Sequence, residues 1–186
     1  MLLLNLDQLI FEKIYQVIPH NLFFDWFFLT VSTIAHPKII WFPLIILFLI
    51  FYKQHKGWVF FESAIAIGIG VVVNEYMIKN IFARLRPFEF YDWVTTIDHT
   101  ATGYSFPSSH ALVAFSFAAV IILNTKQKWL HNLLIVFAVL VCLSRIYLGV
   151  HFPGDVITGA IIGTLLGWLA SKFLPRFYKA LFHKQM

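Results

Sequence analysis

The sequence predicts an all-α polytopic membrane protein, a bundle of six transmembrane helices with an N-terminal amphipathic helix. Of the 186 residues 60% are hydrophobic and only 12% are charged, about half of the ~25% charged residues of a soluble domain. Long apolar segments alternate with short polar ones, as expected of membrane-spanning helices. The length fits one integral membrane domain covering residues 1–186.

The N-terminal segment "MLLLNLDQLIFEKIY" mixes apolar and polar residues at helical spacing. This pattern predicts an amphipathic helix lying at the membrane interface. Asp7 and Glu12 interrupt the apolar run, and no small-residue cleavage site follows, so the segment is not expected to be a signal peptide.

Six candidate spans follow, each near the ~20 mostly apolar residues that a crossing needs. The first span has the shortest uncharged segment, which runs only from Trp26 to Pro37. In the sixth, glycines recur every four residues, a stripe that predicts close approach of another helix. The spans are residues 20–36, 37–53, 57–83, 107–125, 129–148 and 153–173, and the glycines are Gly159, Gly163 and Gly167.

The charge distribution predicts the orientation. With six spans, nine of the 14 Lys and Arg residues lie on one side with both termini, and the positive-inside rule makes that side cytoplasmic, within the cell (inner) membrane. No basic patch is interleaved with base-stacking aromatic residues, so nucleic acid is not an expected partner. The sequence pattern does not predict the oligomeric state. Five basic residues lie toward the outer side, against the rule: Lys38, Lys79, Arg84, Arg86 and Arg145.

Three polar clusters lie at the outer ends of the later spans. In "KNIFARLRP", Lys79 and Arg86 are seven residues apart, so both cations can face one way, and Pro87 predicts that the helix ends there. Lys38 and Arg84 are expected to extend toward the interface as isolated bases do. The other two clusters are "PSSH", residues 107–110, and "SRIYLGVHFPGD", residues 144–155.

Glu75 precedes Lys79 by four residues, the favourable order for a helical ion pair. Such a pair either holds the ammonium in place for a ligand or only makes both charges tolerable in the membrane. The sequence leaves both interpretations open.

Three cations together suit a phosphate group. Pro107 and Pro153 each fit the first position of a helix, where free backbone N–H groups and the helix dipole favour an anion. We therefore expect "PSSH" and "HFPGD" each to open a helix aimed at phosphate, with Ser108 and Ser109 forming part of the cradle.

The two histidines suit phosphoryl transfer. A neutral His151 can attack phosphorus, Asp155 can accept its N–H and stabilise the cation that forms, and His110 can protonate the leaving oxygen.

Metal binding is the competing use of His151 and Asp155. Asp92, Asp98 and His99 could be recruited as further ligands. Three cations in the same pocket disfavour a divalent metal, so no metal and no cofactor are predicted.

In order and spacing these clusters resemble the signature of the type 2 phosphatidic acid phosphatase superfamily, K-x6-R-P, then P-S-G-H, then S-R-x5-H-x3-D. The resemblance covers residues 79–155, and residues 1–78 add length and topology only. Ser109 stands where the family usually has Gly, which permits close backbone approach, but Ser is small and keeps its N–H.

The resemblance implies a metal-independent phosphatase that acts through a phosphohistidine. By matched position His151 is the nucleophile, Asp155 its partner and His110 the acid. The implied phosphate ligands are Lys79, Arg86, Ser108 and Arg145.

The implied substrate is a phospholipid or polyprenyl diphosphate at the extracytoplasmic face. Compact size favours hydrolysis of undecaprenyl diphosphate to undecaprenyl phosphate; phosphatidylglycerophosphate, phosphatidate and lipid A are the alternatives. Two other classes stay open, a lipid phosphotransferase and a non-catalytic anion-binding membrane protein or transporter. The intact His, His and Asp set argues against the last, because binding alone needs no oriented nucleophile.

Overall fold

The computed structural model of the protein describes residues 2–37, 39, 46 and 58–182. Every regular element in these residues is helical, which confirms the all-α prediction. The elements are α1 (Leu2–Val17), α2 (Leu22–Ile34), α3 (Trp58–Val73), a π-helical turn (Asn74–Ile78), α4 (Lys79–Phe82), α5 (Pro87–Phe90), α6 (Ser109–Asn124), α7 (Lys128–Tyr147) and α8 (Pro153–Phe182).

Three segments of the described chain are long and apolar enough to cross a membrane, namely Val59–Phe90, Lys128–Tyr147 and Pro153–Pro175. Helices α2 and α6 are also apolar but have 13 and 16 residues. At about 1.5 Å per residue they reach ~20 and ~24 Å, short of the ~30 Å hydrocarbon core. The span predicted over 37–53 lies almost wholly outside the described residues.

Helix α6 is the centre of the bundle and packs closely on α8. A Cβ atom at Gly167 would lie 2.7 Å from the carbonyl oxygen of Ser116, and side chains at the other two glycines of the stripe would also meet the α6 backbone. The Ser116 hydroxyl donates to the carbonyl oxygen of Gly163 at 3.0 Å. The predicted role of the glycine stripe is confirmed, and the contact places the starts of α6 and α8 side by side.

The opposite side of α8 is apolar and exposed. Ile157, Ile161, Leu165 and Trp168 recur at helical spacing, with 41 to 64% of each residue accessible. An exposed apolar stripe of this kind suits contact with lipid rather than water.

The two N-terminal helices pack at the same end of the bundle as the polar clusters. The Phe11 side chain of α1 is fully buried, and its ring centroid lies 5.3 Å from that of Phe152, just before α8. Helix α2 packs against α7, with Phe28 and Val31 buried. The first 34 residues therefore border the region in which the sequence places the site.

Candidate active site

Lys79 is held at the junction of the π-helical turn and α4. Its Nζ donates to Oε1 of Glu75 at 2.8 Å, so the predicted ion pair is confirmed. Lys79 is buried, and a buried ammonium needs such a partner because desolvation of an unpaired charge is costly. The π-helical turn, a feature frequent at functional sites, contains Glu75.

Arg86 has the predicted extended backbone immediately before Pro87, the first residue of α5. The preceding helix ends earlier than expected, at Phe82. Its guanidinium donates to backbone carbonyl oxygens of Gly103 at 2.8 Å and Val150 at 3.0 Å. Its Nη1 also lies 3.4 Å from Nε2 of His151. The cation is thus fixed beside one ring nitrogen of that histidine.

His151 lies in the turn between α7 and α8 with 2% of its surface exposed. Its Nδ1 lies 3.4 Å from Oδ2 of Asp155, and this oxygen also accepts the backbone N–H of Phe152 at 2.9 Å. Burial lowers the pKa of His151 well below its ordinary value, and the positive charges of Arg86, Arg145 and Lys79 lower it further. The imidazole is therefore neutral at pH 7.

The "PSSH" segment starts α6 two residues later than predicted. Ser108 is the N-cap, its Oγ accepting the backbone N–H of Ala111 at 3.5 Å, and Ser109 is the first helical residue. Pro107 is therefore not at the first helical position, because the serine hydroxyl caps the helix. Within the described chain, no hydrogen bond occupies the N–H groups of Ser109 and His110, which leaves two donors at the helix N-terminus.

The start of α8, the second helix expected to direct free N–H groups at phosphate, has its N–H groups occupied. Pro153 is the first residue of α8, as expected. However, the N–H of Gly154 donates to Oδ1 of Asp7 at 2.7 Å, and that of Asp155 to the carbonyl oxygen of Phe152 at 3.0 Å. The prediction that both helices point free donors at phosphate is wrong for α8, because a carboxylate from α1 already occupies its start.

Arg145, near the C-terminus of α7, is buried with 1% of its surface exposed. Its Nη1 donates to Oδ2 of Asp98 at 2.7 Å and to the hydroxyl of Ser32. Its Nε is buried without a hydrogen-bond partner. The two contacts fix one edge of the guanidinium and leave Nε, on another edge, available for an anion.

Asp98, one of the residues considered above as a possible metal ligand, is instead the counter-ion of Arg145. Burial raises the pKa of this carboxyl group, but the charge of Arg145 and hydrogen bonds from Thr100 lower it more, so the net direction is downward. Asp98 is therefore ionised at pH 7.

His110, the second residue of α6, is buried, and its Nε2 has no hydrogen-bond partner. Its ring packs edge-to-face against His36, with centroids 5.2 Å apart. Arg145, Lys79 and Arg86 are all close enough to interact electrostatically with this histidine. The structure thus gathers His110 and His151 beside the same three cations.

Comparison with known proteins decides the family. A profile of the PAP2 superfamily matches residues 56–179. The chain belongs to this superfamily.

Relatives of this PAP2 protein carry several names. It is 40% identical to an undecaprenyl-diphosphatase of Sulfolobus acidocaldarius over 131 residues, 70% of this chain and 62% of the relative. It is 29% identical to the undecaprenyl-diphosphatase BcrC of Bacillus subtilis, over 94% of this chain and 93% of the relative. A lipid A 4'-phosphatase of Bacteroides thetaiotaomicron is 29% identical over 81% of this chain and 69% of the relative.

Two solved structures share the fold of this PAP2 protein. Aquifex aeolicus LpxE superposes with a TM-score of 0.77 and 28% identity, covering 90% of this chain and 96% of that one. A PAP2-type phosphatidylglycerolphosphate phosphatase from Bacillus subtilis superposes with a TM-score of 0.78 at 23% identity, covering 94% and 87%. The second is described as transmembrane, which together with the apolar helices of this chain supports the membrane assignment.

The family's usual Gly is replaced in this PAP2 protein by Ser109, whose hydroxyl is fully engaged. It donates to Oε1 of Glu75 and accepts from Nδ2 of Asn74 at 2.7 Å. The added side chain therefore ties the start of α6 to the π-helical turn. Any contact of Ser109 with phosphate falls to its backbone N–H.

Three residues that contact the site are not among the motif residues. Arg84 does not extend to the interface but pairs with Asp155 and Asp7, each at 2.6 Å. Asp7 and Ser32 contact Arg84 and Arg145, so the expectation that residues 1–78 add length and topology only is wrong. The sequence signal was weak: a carboxylate in an apolar segment for Asp7, and none for Ser32.

Proposed function

We propose that this PAP2 protein is a membrane lipid phosphatase that forms a phosphohistidine at His151. The observation that carries the proposal is the pair of contacts on that ring, with Nδ1 near Oδ2 of Asp155 and Nε2 near the guanidinium of Arg86, both at 3.4 Å. One nitrogen is oriented by a carboxylate and the other faces the cation expected to hold phosphate. This is the arrangement of an activated nucleophile.

In the first step the Nε2 lone pair of His151 attacks phosphorus and the bond from phosphorus to the leaving oxygen breaks. Asp155 accepts the Nδ1 proton in a hydrogen bond and stabilises the imidazolium that forms. His110, in its protonated form, gives its proton to the leaving oxygen. In the second step neutral His110 removes a proton from water as the water oxygen attacks phosphorus, which releases phosphate and restores His151.

The phosphate is held by Lys79, Arg86 and Arg145 together with the start of α6. Three fixed positive charges compensate the charge that develops on the equatorial oxygens. Among them Arg145 has a buried Nε without a partner, and the backbone N–H groups of Ser109 and His110 are directed outward from a helix N-terminus. Ser108 contributes as the N-cap that fixes this turn.

The substrate we propose is undecaprenyl diphosphate, cleaved to undecaprenyl phosphate and inorganic phosphate. The support is the 40% identity to a relative named for this substrate and the nearly full-length match to BcrC. Lipid A is the second candidate, favoured by the 29% identity to a lipid A 4'-phosphatase over 81% of this chain. A phosphatidylglycerophosphatase B of Bacillus subtilis is also 32% identical over 143 residues.

A phosphate-release assay distinguishes these substrates. The purified protein is given undecaprenyl diphosphate, phosphatidylglycerophosphate, phosphatidate or lipid A, with EDTA present and no acceptor lipid. We expect the highest kcat/KM with the prenyl diphosphate and no effect of EDTA, because the proposed charge compensation comes from protein cations. A phosphotransferase would release no inorganic phosphate in these mixtures and would consume the substrate only after an acceptor lipid is added. Loss of turnover in EDTA that zinc or magnesium restores contradicts the metal-independent mechanism.

We also propose the membrane arrangement predicted by charge, with six spans, α1 at the interface, both termini cytoplasmic and the site extracytoplasmic. Cysteine substitutions at Thr100 and Gln54 test it, after the natural Cys142 is replaced. An impermeant thiol reagent on intact cells should label position 100 and not position 54. The reverse labelling inverts the topology.

A further inference from the structure

Arg84 is a largely buried cation to which the scheme above gives no role. Its Nη1 donates to Oδ1 of Asp155 and its Nη2 to Oδ2 of Asp7, both at 2.6 Å. Its Cζ lies 4.1 Å from the ring centroid of Phe152, so the plane of the guanidinium is also supported. Because both terminal nitrogens already donate to carboxylates, Arg84 is directed at Asp155 and not at the proposed phosphate position.

The backbone at Arg84 is held as firmly as its side chain. Ala83, the preceding residue, has a left-handed conformation with φ of +45°, which is unfavourable for a residue other than Gly. The carbonyl oxygen of Arg84 accepts the N–H of Ser105 at 2.8 Å. Strained backbone of this kind persists where its surroundings fix it and clusters near functional sites.

Asp7 of α1 connects Arg84 to the helix that carries Asp155. One oxygen accepts from Arg84, and the other accepts the backbone N–H of Gly154 at 2.7 Å. That N–H belongs to the first turn of α8, whose donors have no partners within the helix. A single carboxylate therefore holds both the guanidinium that contacts Asp155 and the turn on which Asp155 lies.

The consequence falls on the orientation of the Asp155 carboxylate. Asp155 is fully buried, and a buried carboxylate needs donors on both oxygens. Oδ2 accepts from Phe152 and faces His151, while Oδ1 accepts from Arg84. We propose that Arg84 and Asp7 are positioning residues, which keep the Asp155 carboxylate turned so that Oδ2 accepts the N–H of His151.

This inference rests on the proposed function, since it takes His151 as nucleophile and Asp155 as its orienting partner. It adds α1, which lies outside the matched residues 56–179, to the catalytic unit. Arg84 and Asp7 touch no reacting atom in this scheme. Their loss should therefore slow phosphoryl transfer without weakening the binding of phosphate.

The first experiment separates kcat from binding. Arg84→Gln, Arg84→Lys and Asp7→Asn are purified as full-length proteins, and turnover and inhibition by inorganic phosphate are measured. Misplacement of a catalytic group by about 1 Å costs on the order of 10²-fold, so we expect about that loss of kcat for Arg84→Gln, with KM and phosphate inhibition within about 3-fold. Arg84→Lys should recover part of the loss, because it keeps the charge but not the fork.

The matched control is Glu12→Gln, which removes the other acidic residue of α1. Glu12 interacts with Tyr91 and not with Asp155. We expect wild-type kcat for this variant, whereas Asp7→Asn should lower kcat by about 10-fold through weaker support of Arg84. An equal loss in both variants would mean that α1 affects activity only through general stability.

The second experiment is a double-mutant cycle with Asp155→Asn. If Arg84 acts through Asp155, then Arg84→Gln adds no further loss of kcat in the Asp155→Asn background, because coupled residues are not additive. A phosphate ligand would instead give an additional loss and weaker inhibition by phosphate. Additivity of that kind overturns the inference.

The inference and the proposed function can fail separately. Wild-type kcat in all Arg84 and Asp7 variants, with no phosphoenzyme on His151→Ala, overturns the inference alone. Phosphoenzyme on His151→Ala overturns the proposed function and the inference with it. If Arg84→Gln does not fold, Arg84→Lys and Asp7→Asn decide the matter by the same split between kcat and phosphate inhibition.

Discussion

The two arginine ligands proposed for phosphate are held in different ways. The guanidinium of Arg86 donates to carbonyl oxygens at Thr102, Gly103 and Val150, all within the residues that match the PAP2 superfamily. That of Arg145 donates to Asp98 and to Ser32 of α2, which lies outside the match. One corner of the site is therefore complete within the matched region, and the other depends on an N-terminal helix.

This difference separates two kinds of constraint on a sequence. A group that touches phosphorus or a leaving oxygen must have a particular chemistry, so its residue type and spacing are recognisable. A group that only holds such a residue must reach the right place, and several elements of the fold can supply it. Ser32, which holds Arg145, and Asp7, which supports Asp155 through Arg84, are of the second kind.

The largest effect is expected at the two histidines of the matched region. His151→Ala should abolish turnover and labelled phosphoenzyme, because it removes the proposed nucleophile.

In His110→Ala, kcat should fall by about 10²–10⁴-fold, the usual contribution of a general acid. That loss should be greatest with a lipid monophosphate and least with an aryl phosphate of low leaving-group pKa, measured by rapid quench across leaving groups of graded pKa.

Both variants should still bind inorganic phosphate, since Lys79, Arg86 and Arg145 remain. Covalent label trapped on His151→Ala, or a His110→Ala defect independent of leaving-group pKa, would mean that the roles of the two histidines are assigned wrongly. Either result would also weaken the view that the matched region contains all of the reacting groups.

A smaller effect is expected at the start of α6. Ser109→Pro removes a backbone N–H at the first helical position, where Pro is tolerated, and Ser108 already has the extended backbone that Pro requires of its predecessor. Loss of one preorganised donor should lower kcat/KM by about 10²-fold. Ser109→Ala keeps the N–H and should change kcat/KM by less than about 10-fold, because only the hydroxyl contacts with Asn74 and Glu75 are lost.

The comparison of these two variants tests which part of Ser109 faces phosphate. If Ser109→Ala is as inactive as Ser109→Pro while both retain wild-type thermal stability, the hydroxyl and not the N–H is needed. The substitution of the family's usual Gly would then have changed the site's chemistry as well as its packing.

Much of the architecture could be predicted from the sequence. The bounds of α6 and α7, the start of α8 and the close packing of the glycine stripe follow from apolar length and small-residue spacing, which are local properties. The end of α8 does not, because the helix continues to Phe182, beyond the predicted span of 153–173. The pair between Lys79 and Glu75 follows from helical spacing in the same way. The contact of His151 with Asp155 was expected from their separation of one helical turn.

Other features depended on competition between groups, which in two cases are distant in sequence. Pro153 begins α8, but whether its N–H groups were free depended on Asp7, which is 147 residues from Gly154. Arg84 resembled an isolated interfacial base until the fold brought two carboxylates to it. Pro107 lost the first helical position to its neighbour, because the Ser108 hydroxyl caps α6 instead. Asp7, which takes part in the other two cases, carries no motif signal.

The smallest effects on activity should come from the two partners of Arg145, one inside and one outside the matched region. Asp98→Asn leaves a buried guanidinium without its counter-charge, and breaking such a pair costs about 3–5 kcal/mol of folding free energy. Ser32→Ala removes one hydroxyl acceptor of the charged guanidinium, a contact worth about 1.5–3 kcal/mol. Thr33→Ala, the matched control on α2, removes an exposed hydroxyl that donates to the carbonyl oxygen of Leu29 and should change neither stability nor KM.

In activity, Asp98→Asn should raise KM and weaken inhibition by phosphate about 10-fold, with a smaller change, about 3-fold, for Ser32→Ala. Removal of a carboxylate also makes the site more positive, but the orientation of Arg145 should dominate because a guanidinium binds phosphate directionally through its fork. If Asp98→Asn instead tightens phosphate inhibition, Asp98 competes with phosphate for Arg145 rather than positioning it. If Ser32→Ala matches Thr33→Ala in both measurements, α2 only covers the Arg145 corner, and the matched region is sufficient to hold both arginines.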